Sequence, residues 1–325
     1  MADKKIIAVT GATGSQGGGL VRAILADPNG GFAARAITRD ASKDKSKAIA
    51  AAGAEVVSGD LDDVESLKKA FAGAHGVYAV TNFWEHFSGE KEIQQAKNIA
   101  EAAKAAGVKH VIWSTLEDTR KLMSADDTRM PILQGKYRVP HFDAKADANA
   151  AFSGLPTTYL VTSFYWDNFY LFGLAPKKDD KGVYSWTFPM GEAKLPGIAA
   201  EDIGKVAYGI FKAGSEYIGK TVGIAGESLS FQEMSKRLEK GLGISPVQFN
   251  PVDANVFRGF GFPGADEYGN MFQVYRDFEK EVNAARSIDL TRKLNPSLQN
   301  FDQWLAGKKS AVLAAANPAP ATASN

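Results

Sequence analysis

The sequence predicts an α/β protein, a doubly wound parallel sheet followed by a smaller α+β C-terminal lobe. Three observations carry that reading. A short apolar run, Lys5–Val9, enters a glycine-studded turn, and the segment after it places Leu20, Val21, Ile24 and Leu25 at helical spacing, giving strand, glycine turn, helix. Strand-like and helix-like runs then alternate as far as His110–Ser114, the arrangement that builds a parallel sheet with right-handed crossovers and helices on both faces. Beyond about residue 165 the rhythm breaks into short elements interleaved with Gly and Pro, as in Gly259-Phe260-Gly261-Phe262-Pro263-Gly264.

The first turn, Thr10-Gly11-Ala12-Thr13-Gly14-Ser15-Gln16-Gly17, spaces its glycines G-x-x-G-x-x-G. Such a turn lets the backbone approach a pyrophosphate, and the helix behind it offers unpaired N–H groups and roughly half a positive charge. The glycine spacing alone is weak; its place between a strand and a helix makes it specific. After the turn cluster Asp27–Gly31 comes a second strand, Ala33–Thr38, then a helix over Lys47–Ala52 ending at Gly53. A third strand, Glu55–Ser58, precedes a helix opened by Asp62-Asp63 and ending near Phe71. Gly76–Val80 reads as the fourth strand, and a helix from about Glu90 to Ala106 puts Ile93, Ala96, Ala100 and Ala103 on one face. Glu117 to Pro140 is polar and contains Pro131, Gly135 and Pro140, so a long loop is expected, of the kind that is often functional. Helix resumes over Phe142–Phe152, Thr157–Thr162 makes a sixth strand, and an aromatic run, Ser163–Tyr170, leaves the sheet edge. Ser230–Glu233 is a capping box, and Asn300 or Asp302 caps a last short helix containing Trp304. The expected division is 1–165 for the sheet domain, with 196–213 packing back on it, 166–309 for the smaller lobe, and a disordered tail over 310–325.

At 325 residues the chain buries a substantial core, and its net charge of +1 contains no basic block, which argues against direct nucleic-acid binding. Cysteine is absent, so disulfides, thiolate nucleophiles and cysteine zinc sites are excluded, and no metal site is expected. Met1–Lys5 leads directly into a core strand, leaving no room for a signal sequence, and no apolar run approaches membrane-spanning length. A cytoplasmic setting, with the nucleus also accessible, is expected.

In a doubly wound sheet the ligand lies at the carboxyl ends of the strands. The second strand ends Thr38-Arg39-Asp40, with Lys43 one turn on. An acidic residue at this place binds ribose hydroxyls, whereas arginine accommodates an adenosine phosphate, and Arg39 offers a permanently charged fork. Asp40 either opposes that phosphate or caps the following helix. Asp60, after the third strand, either accepts from an adenine amino group or begins the next helix. Thr81-Asn82-Phe83-Trp84, after the fourth strand, is either a stacking surface or core. In His141-Phe142-Asp143-Ala144-Lys145 the four-residue spacing puts His141 and Lys145 on one helical face, where a lysine can hydrogen-bond a ribose and a histidine can trade a proton.

These residues resemble the NmrA-like family of atypical short-chain dehydrogenases/reductases, and most closely its NmrA-like domain-containing, NADPH-binding branch. The resemblance runs from Lys4 to about Lys308. It includes Thr10–Gly18, Thr38-Arg39, Gly59-Asp60, Val80–Glu85, His141–Lys145, Gly261–Ala265 with Asn270–Phe272, and Asn295-Pro296 with Asp302–Leu305. It implies a Rossmann domain, NADP(H) preferred over NAD(H), and in several relatives a redox-sensing role through partner proteins. By position it places Gly11, Ala12, Thr13, Gly14, Ser15 and Gln16 on the pyrophosphate, Arg39 and Lys43 on the adenosine phosphate, and Asp60 and Leu61 by the adenine. Thr81, Asn82 and Phe83 then lie along the cofactor, Lys145 on the nicotinamide ribose, and Phe164, Tyr165, Trp166 and Asp167 by the nicotinamide. Two departures stand out: Gln94 replaces a lysine of a close relative, and the loop over about 124–139 is longer. Active members use Tyr-x-x-x-Lys, and here the tyrosine position is His141, so the usual acid is missing and His141, Tyr165 or Lys145 would have to substitute, with Lys145 and His141 the catalytic candidates.

Two readings follow. One is an NADP(H)-binding redox sensor or regulator; the other is an NADPH-dependent reductase of a small quinone, enone or carbonyl compound. The candidate partners are the dinucleotide, a regulatory protein and a second copy of the chain in a homodimer, with no membrane and no direct nucleic-acid partner.

Overall fold

Six parallel strands, β1 (Lys5–Val9), β2 (Phe32–Thr38), β3 (Glu55–Ser58), β4 (Gly76–Ala79), β5 (His110–Thr115) and β6 (Thr157–Val161), form where the apolar runs place them. The structure, a computed structural model, describes residues 4–124 and 126–317. The sheet order is β3-β2-β1-β4-β5-β6, with a seventh strand, Thr221–Gly223, parallel to β6 at the edge. The chain winds outward from β1 to β3 and then returns to set β4 on the other side of β1. That reversal makes the carboxyl ends of β1 and β4 the switch point of the sheet.

The connecting helices are α1 (Ser15–Leu25), α2 (Asp44–Ala51), α3 (Val64–Phe71), α4 (Gly89–Ala105) and α5 (Pro140–Ala148). Their starts follow local chemistry. The Asp63 carboxylate accepts from the Glu65 and Ser66 amides at the head of α3, and Ser88 Oγ accepts from the Lys91 amide at the head of α4. Pro140 occupies the first turn of α5, where its missing N–H is no loss, so this helix starts two residues before the expected Phe142. On one face of the sheet Leu67, Phe71, Ala96, Ile99, Ala103, Trp113 and Phe152 form a fully buried cluster. On α1, a Cβ at Gly19 would lie 2.7 Å from the Glu201 carbonyl oxygen, and one at Gly204 would lie 2.1 Å from the Leu20 nitrogen. The helix Ala200–Lys212 therefore crosses α1 backbone to backbone. The unit that holds the sheet runs to Thr162 and includes Ala200–Ile224 and Arg286–Leu298.

The second unit comprises Ser163–Ala199, Ala225–Ala285 and the chain from Gln299. It contains two three-stranded sheets, one from Glu227–Leu229, Leu195–Ile198 and Phe164–Tyr165, the other from Val247–Pro251, Tyr184–Phe188 and Lys177–Lys178. The expected capping box at Ser230 and Glu233 is present. The last helix, capped by Asn300, is Phe301–Ala316. This corrects the expected disorder from residue 310: Val312 and Ala316 are fully buried, and Lys177 Nζ donates to the Ala315 carbonyl at 2.6 Å. The remaining tail, 318–325, lies outside the described residues.

Candidate functional site

The glycine turn is built for close approach. Thr10 ties the end of β1 to that of β4: its Oγ1 donates to the Val80 carbonyl at 3.0 Å and accepts from the Val80 amide at 2.8 Å. Gly11 has φ +60°, a left-handed conformation that favours glycine, and a Cβ there would meet Val80 Cγ1 at 2.9 Å. A Cβ on Gly17 would lie 2.5 Å from the Gly11 oxygen and 2.7 Å from the Thr10 oxygen, so the first turn of α1 rests on the loop backbone itself. Gly14 is the N-cap and brings no side chain to the helix terminus. The first N–H groups of α1 are thus offered without a side-chain cap at the switch point. Gln16 Oε1 accepts from Ser114 Oγ at 2.8 Å and from Tyr78 OH, which fixes that side chain over β4 and β5.

At the end of β2 the Asp40 carboxylate turns away into its own loop. It accepts from Ser42 Oγ at 2.6 Å and the Ser42 amide at 2.8 Å, and these bonds hold it below the usual carboxylate range. Arg39 projects into solvent and forms a two-pronged pair with Glu85, with both N–O distances 3.1 Å. Asn82 Nδ2 donates to the same carboxylate at 3.3 Å. Lys43 is exposed at the N-cap of α2. After β3, Asp60 accepts from the Asp62 amide at 3.0 Å, Asp63 caps α3, and Leu61 packs against the core. Gln94, exposed on α4, donates to Asn98 at 3.0 Å.

The segment after β4 meets α5. Lys145 Nζ donates to Thr81 Oγ1 and pairs with Glu92 Oε1, both at 2.8 Å, and lies 5.0 Å from the centre of the Trp113 ring. Thr81 Oγ1 donates to the same Glu92 oxygen at 2.6 Å. The other Glu92 oxygen is 3.5 Å from His86 Nε2, beyond a formed hydrogen bond. Burial works against the Glu92 charge, but Lys145, followed by the polar contacts of His86 and Thr81, holds the carboxyl well below its usual range. The His141 ring is packed among Trp84, Phe83 and Phe142, with centroids 4.9, 5.8 and 4.7 Å away. The structure therefore brings both ends of the His141–Lys145 pair against the segment 81–92, with His141 6% exposed.

Asp143, between them, organises the loop over 116–139. One carboxylate oxygen accepts from the Thr119 amide at 2.8 Å and Thr119 Oγ1 at 2.7 Å; the other accepts from the Arg138 and Val139 amides at 2.8 and 3.2 Å. At the start of the loop, Glu117 pairs with the buried Arg286, whose Nε donates to the Thr162 carbonyl at 2.9 Å. Gln134 clasps the neighbouring turn, accepting from the Gly89 amide at 2.9 Å and donating to the Phe87 carbonyl at 3.0 Å. Gln134 thus ties the loop after β5 to the turn after β4.

The sequence profile of the NmrA-like family matches residues 3–305. The chain belongs to that family. It is similar to an NmrA-like family domain-containing oxidoreductase of Cladobotryum sp., with 29% identity over 281 residues and 82% of each chain covered. Among solved structures it resembles NmrA, a negative transcriptional regulator crystallised with NADP and with NAD, at a TM-score of 0.76, with 23% identity and 94% and 95% of the two chains covered. It also resembles a Citrobacter sp. triphenylmethane reductase complexed with NADP(H), at a TM-score of 0.71, with 23% identity and 93% and 99% covered. No helix among the described residues is long and apolar enough to cross a membrane.

In this NmrA-like chain the glycine turn, Arg39, Lys43, Asp60, Thr81, Asn82, Phe83, His141 and Lys145 all belong to the sheet unit, while Phe164, Tyr165, Trp166 and Asp167 belong to the other. There Phe164 packs on Phe169 and Phe272, and Trp166 on Phe301 and Trp304; both are core rings, 4% and 1% exposed. Glu92, Glu85 and Asp143 carry the site's electrostatics without having stood out in the sequence. Glu92 had a signal: it lies four residues before Ala96, a charge in line with the apolar stripe of α4.

Proposed function

We propose that this protein binds a nicotinamide dinucleotide, NADP(H) in preference to NAD(H), and reports its redox state to a protein partner. The observation that supports this most is the uncapped α1 terminus behind a turn where a Cβ on Gly17 has no room, the cradle a pyrophosphate requires. Arg39 and Lys43 at the end of β2 supply charge for an adenosine phosphate, and Lys145 supplies an ammonium at the switch point for the nicotinamide ribose. Two features favour sensing over turnover. His141, at the tyrosine position of active relatives, is enclosed by aromatic rings, and the Lys145 charge is already matched by Glu92. The clasp between Gln134 and Phe87–Gly89 joins the two loops that flank the switch point, so a ligand touching either biases both.

A second reading, a reductase of a small quinone, enone or carbonyl compound, draws support from the retained Lys145 and from curated relatives named oxidoreductases. Bound NADPH would supply a hydride; Lys145 is the group in this unit that could hold or pass a proton beside it. Hydrogen exchange with NADPH, with NADP and without nucleotide, alongside NADPH consumption with a quinone and carbonyl panel, separates the readings. The sensor predicts nucleotide-dependent protection over 81–89 and 116–139 without sustained turnover. Identical protection in all three states removes it, and substrate-dependent oxidation lost in Lys145→Ala establishes the reductase.

A further inference from the structure

We propose that Glu85 is a nucleotide-discriminating residue, an internal stand-in for the adenosine phosphate that latches Arg39 across the nucleotide groove. This rests on the nucleotide reading above and deepens it. The argument is topological first. Arg39 follows β2 and Glu85 lies in the turn after β4, and in the sheet β1 runs between those two strands. The pair therefore joins the segments that leave two strands, themselves two strand spacings or roughly 10 Å apart, that flank the carboxyl end of β1. That end is the glycine turn. A contact joining its two flanks lies beside that turn, where Arg39 would otherwise face the adenosine phosphate of a dinucleotide.

The chemistry matches the position. Glu85 takes Arg39 with both oxygens, each N–O distance 3.1 Å, the same two-pronged geometry by which a guanidinium holds a phosphate. Asn82 Nδ2 donates to the same carboxylate at 3.3 Å, which holds Glu85 over its own turn. The alternative acid beside Arg39, Asp40, is occupied by Ser42 and does not compete. A 2′-phosphate must displace Glu85 from Arg39, whereas NAD(H), lacking that phosphate, has no group to take its place. Displacement frees the turn Phe83–Glu85, which packs on His141 and leads into the Phe87–Gly89 segment clasped by Gln134. The phosphate-bearing nucleotide alone would release the latch.

The test is a pair of calorimetric titrations, NADPH and NADH, on wild type, Glu85→Gln, Arg39→Ala and the double variant. Both side chains are exposed, so Glu85→Gln should leave the fold intact. An exposed ion pair is worth enough that NADPH should bind Glu85→Gln about two- to fivefold more tightly, with NADH nearly unchanged. In the Arg39→Ala background the same change should no longer alter the NADPH-to-NADH ratio. Equal tightening for both nucleotides, unchanged or weaker NADPH binding, or a ratio change that survives Arg39→Ala overturns the latch. Failure of the wild type to bind either nucleotide would instead remove the nucleotide reading itself.

Discussion

Replacing Glu92 by Gln should destabilise the sheet unit by about 3–5 kcal/mol, the range for removing one partner of a buried ion pair. Glu92 has no exposed surface, and the Lys145 side chain is 10% exposed. Glutamine keeps an acceptor for Thr81 and nearly the same volume, so what disappears is the counter-charge to a buried ammonium. The acidity of Glu92 reflects the same pairing. Burial pushes the Glu92 carboxyl up, but Lys145 and then His86 and Thr81 more than offset this, taking it from 4.5 to about 2. That difference corresponds to about 3 kcal/mol. Because the folded value lies below the unfolded one, this stabilisation is complete above about pH 4.5 and is lost as pH falls through about 2. Urea unfolding near neutral pH of wild type, Glu92→Gln, Lys145→Met and the double variant measures the coupling. The double variant should recover most of the loss, since apolar replacements of buried pairs are often neutral. Between the unfolded and folded values the acid slope of wild type should flatten in Glu92→Gln. A cost below about 1 kcal/mol, less than a net hydrogen bond to a charged group, or an unchanged acid slope would refute the assignment of Lys145 and Glu92 as a coupled charge pair.

Other perturbations have equally specific expectations. Gly17→Ala places a methyl against backbone atoms at 2.5 and 2.7 Å, so it should cost about 1–3 kcal/mol and abolish any nucleotide-induced thermal shift. A normal shift in that variant would remove the turn from the site. Asp143→Ala strands three buried amides and the Thr119 hydroxyl, a loss of at least about 2 kcal/mol, and limited proteolysis should then cut within 117–139 sooner than in wild type. Truncation after Lys309 removes the buried Val312 and Ala316 and should lower the melting temperature by several degrees.

The fold was legible because its signals are local. Each strand from β1 to β6 is an apolar run bounded by turn residues, and the glycine turn announces itself by its place between a strand and a helix. The seventh strand was not foreseen: Thr221–Gly223 is three residues long, too short to show a period. The last helix was expected to be short, its part from Ser310 read as disorder from composition, yet alanine is the strongest helix former, and Val312 and Ala316, four residues apart, share one buried side.

The site was half legible, for a reason that Arg39 illustrates. Its type and its place at the end of β2 follow from the sequence, but its partner Glu85 is 46 residues away, and only the strand order brings the two together. The same holds for Lys145 and Glu92. The His141–Lys145 spacing fixes a helical face, while what that face meets is decided by how α4 and α5 pack. The aromatic run from Phe164, which the resemblance alone puts by the nicotinamide, is legible as apolar, but only packing decides that the rings of Phe164, Trp166 and Phe169 are buried.

The central claim, a dinucleotide held over the glycine turn with its phosphate read by Arg39 and Lys43, is tested most directly by calorimetric titration of NADPH and NADH into wild type and into Arg39→Ala with Lys43→Ala. Charge-assisted contacts to an exposed phosphate, reduced by the competition from Glu85, should leave NADPH about tenfold tighter than NADH in wild type. The double variant should bind both nucleotides alike, at close to the wild-type NADH affinity. Equal affinities in wild type, or an NADPH preference that survives in the double variant, would contradict the account.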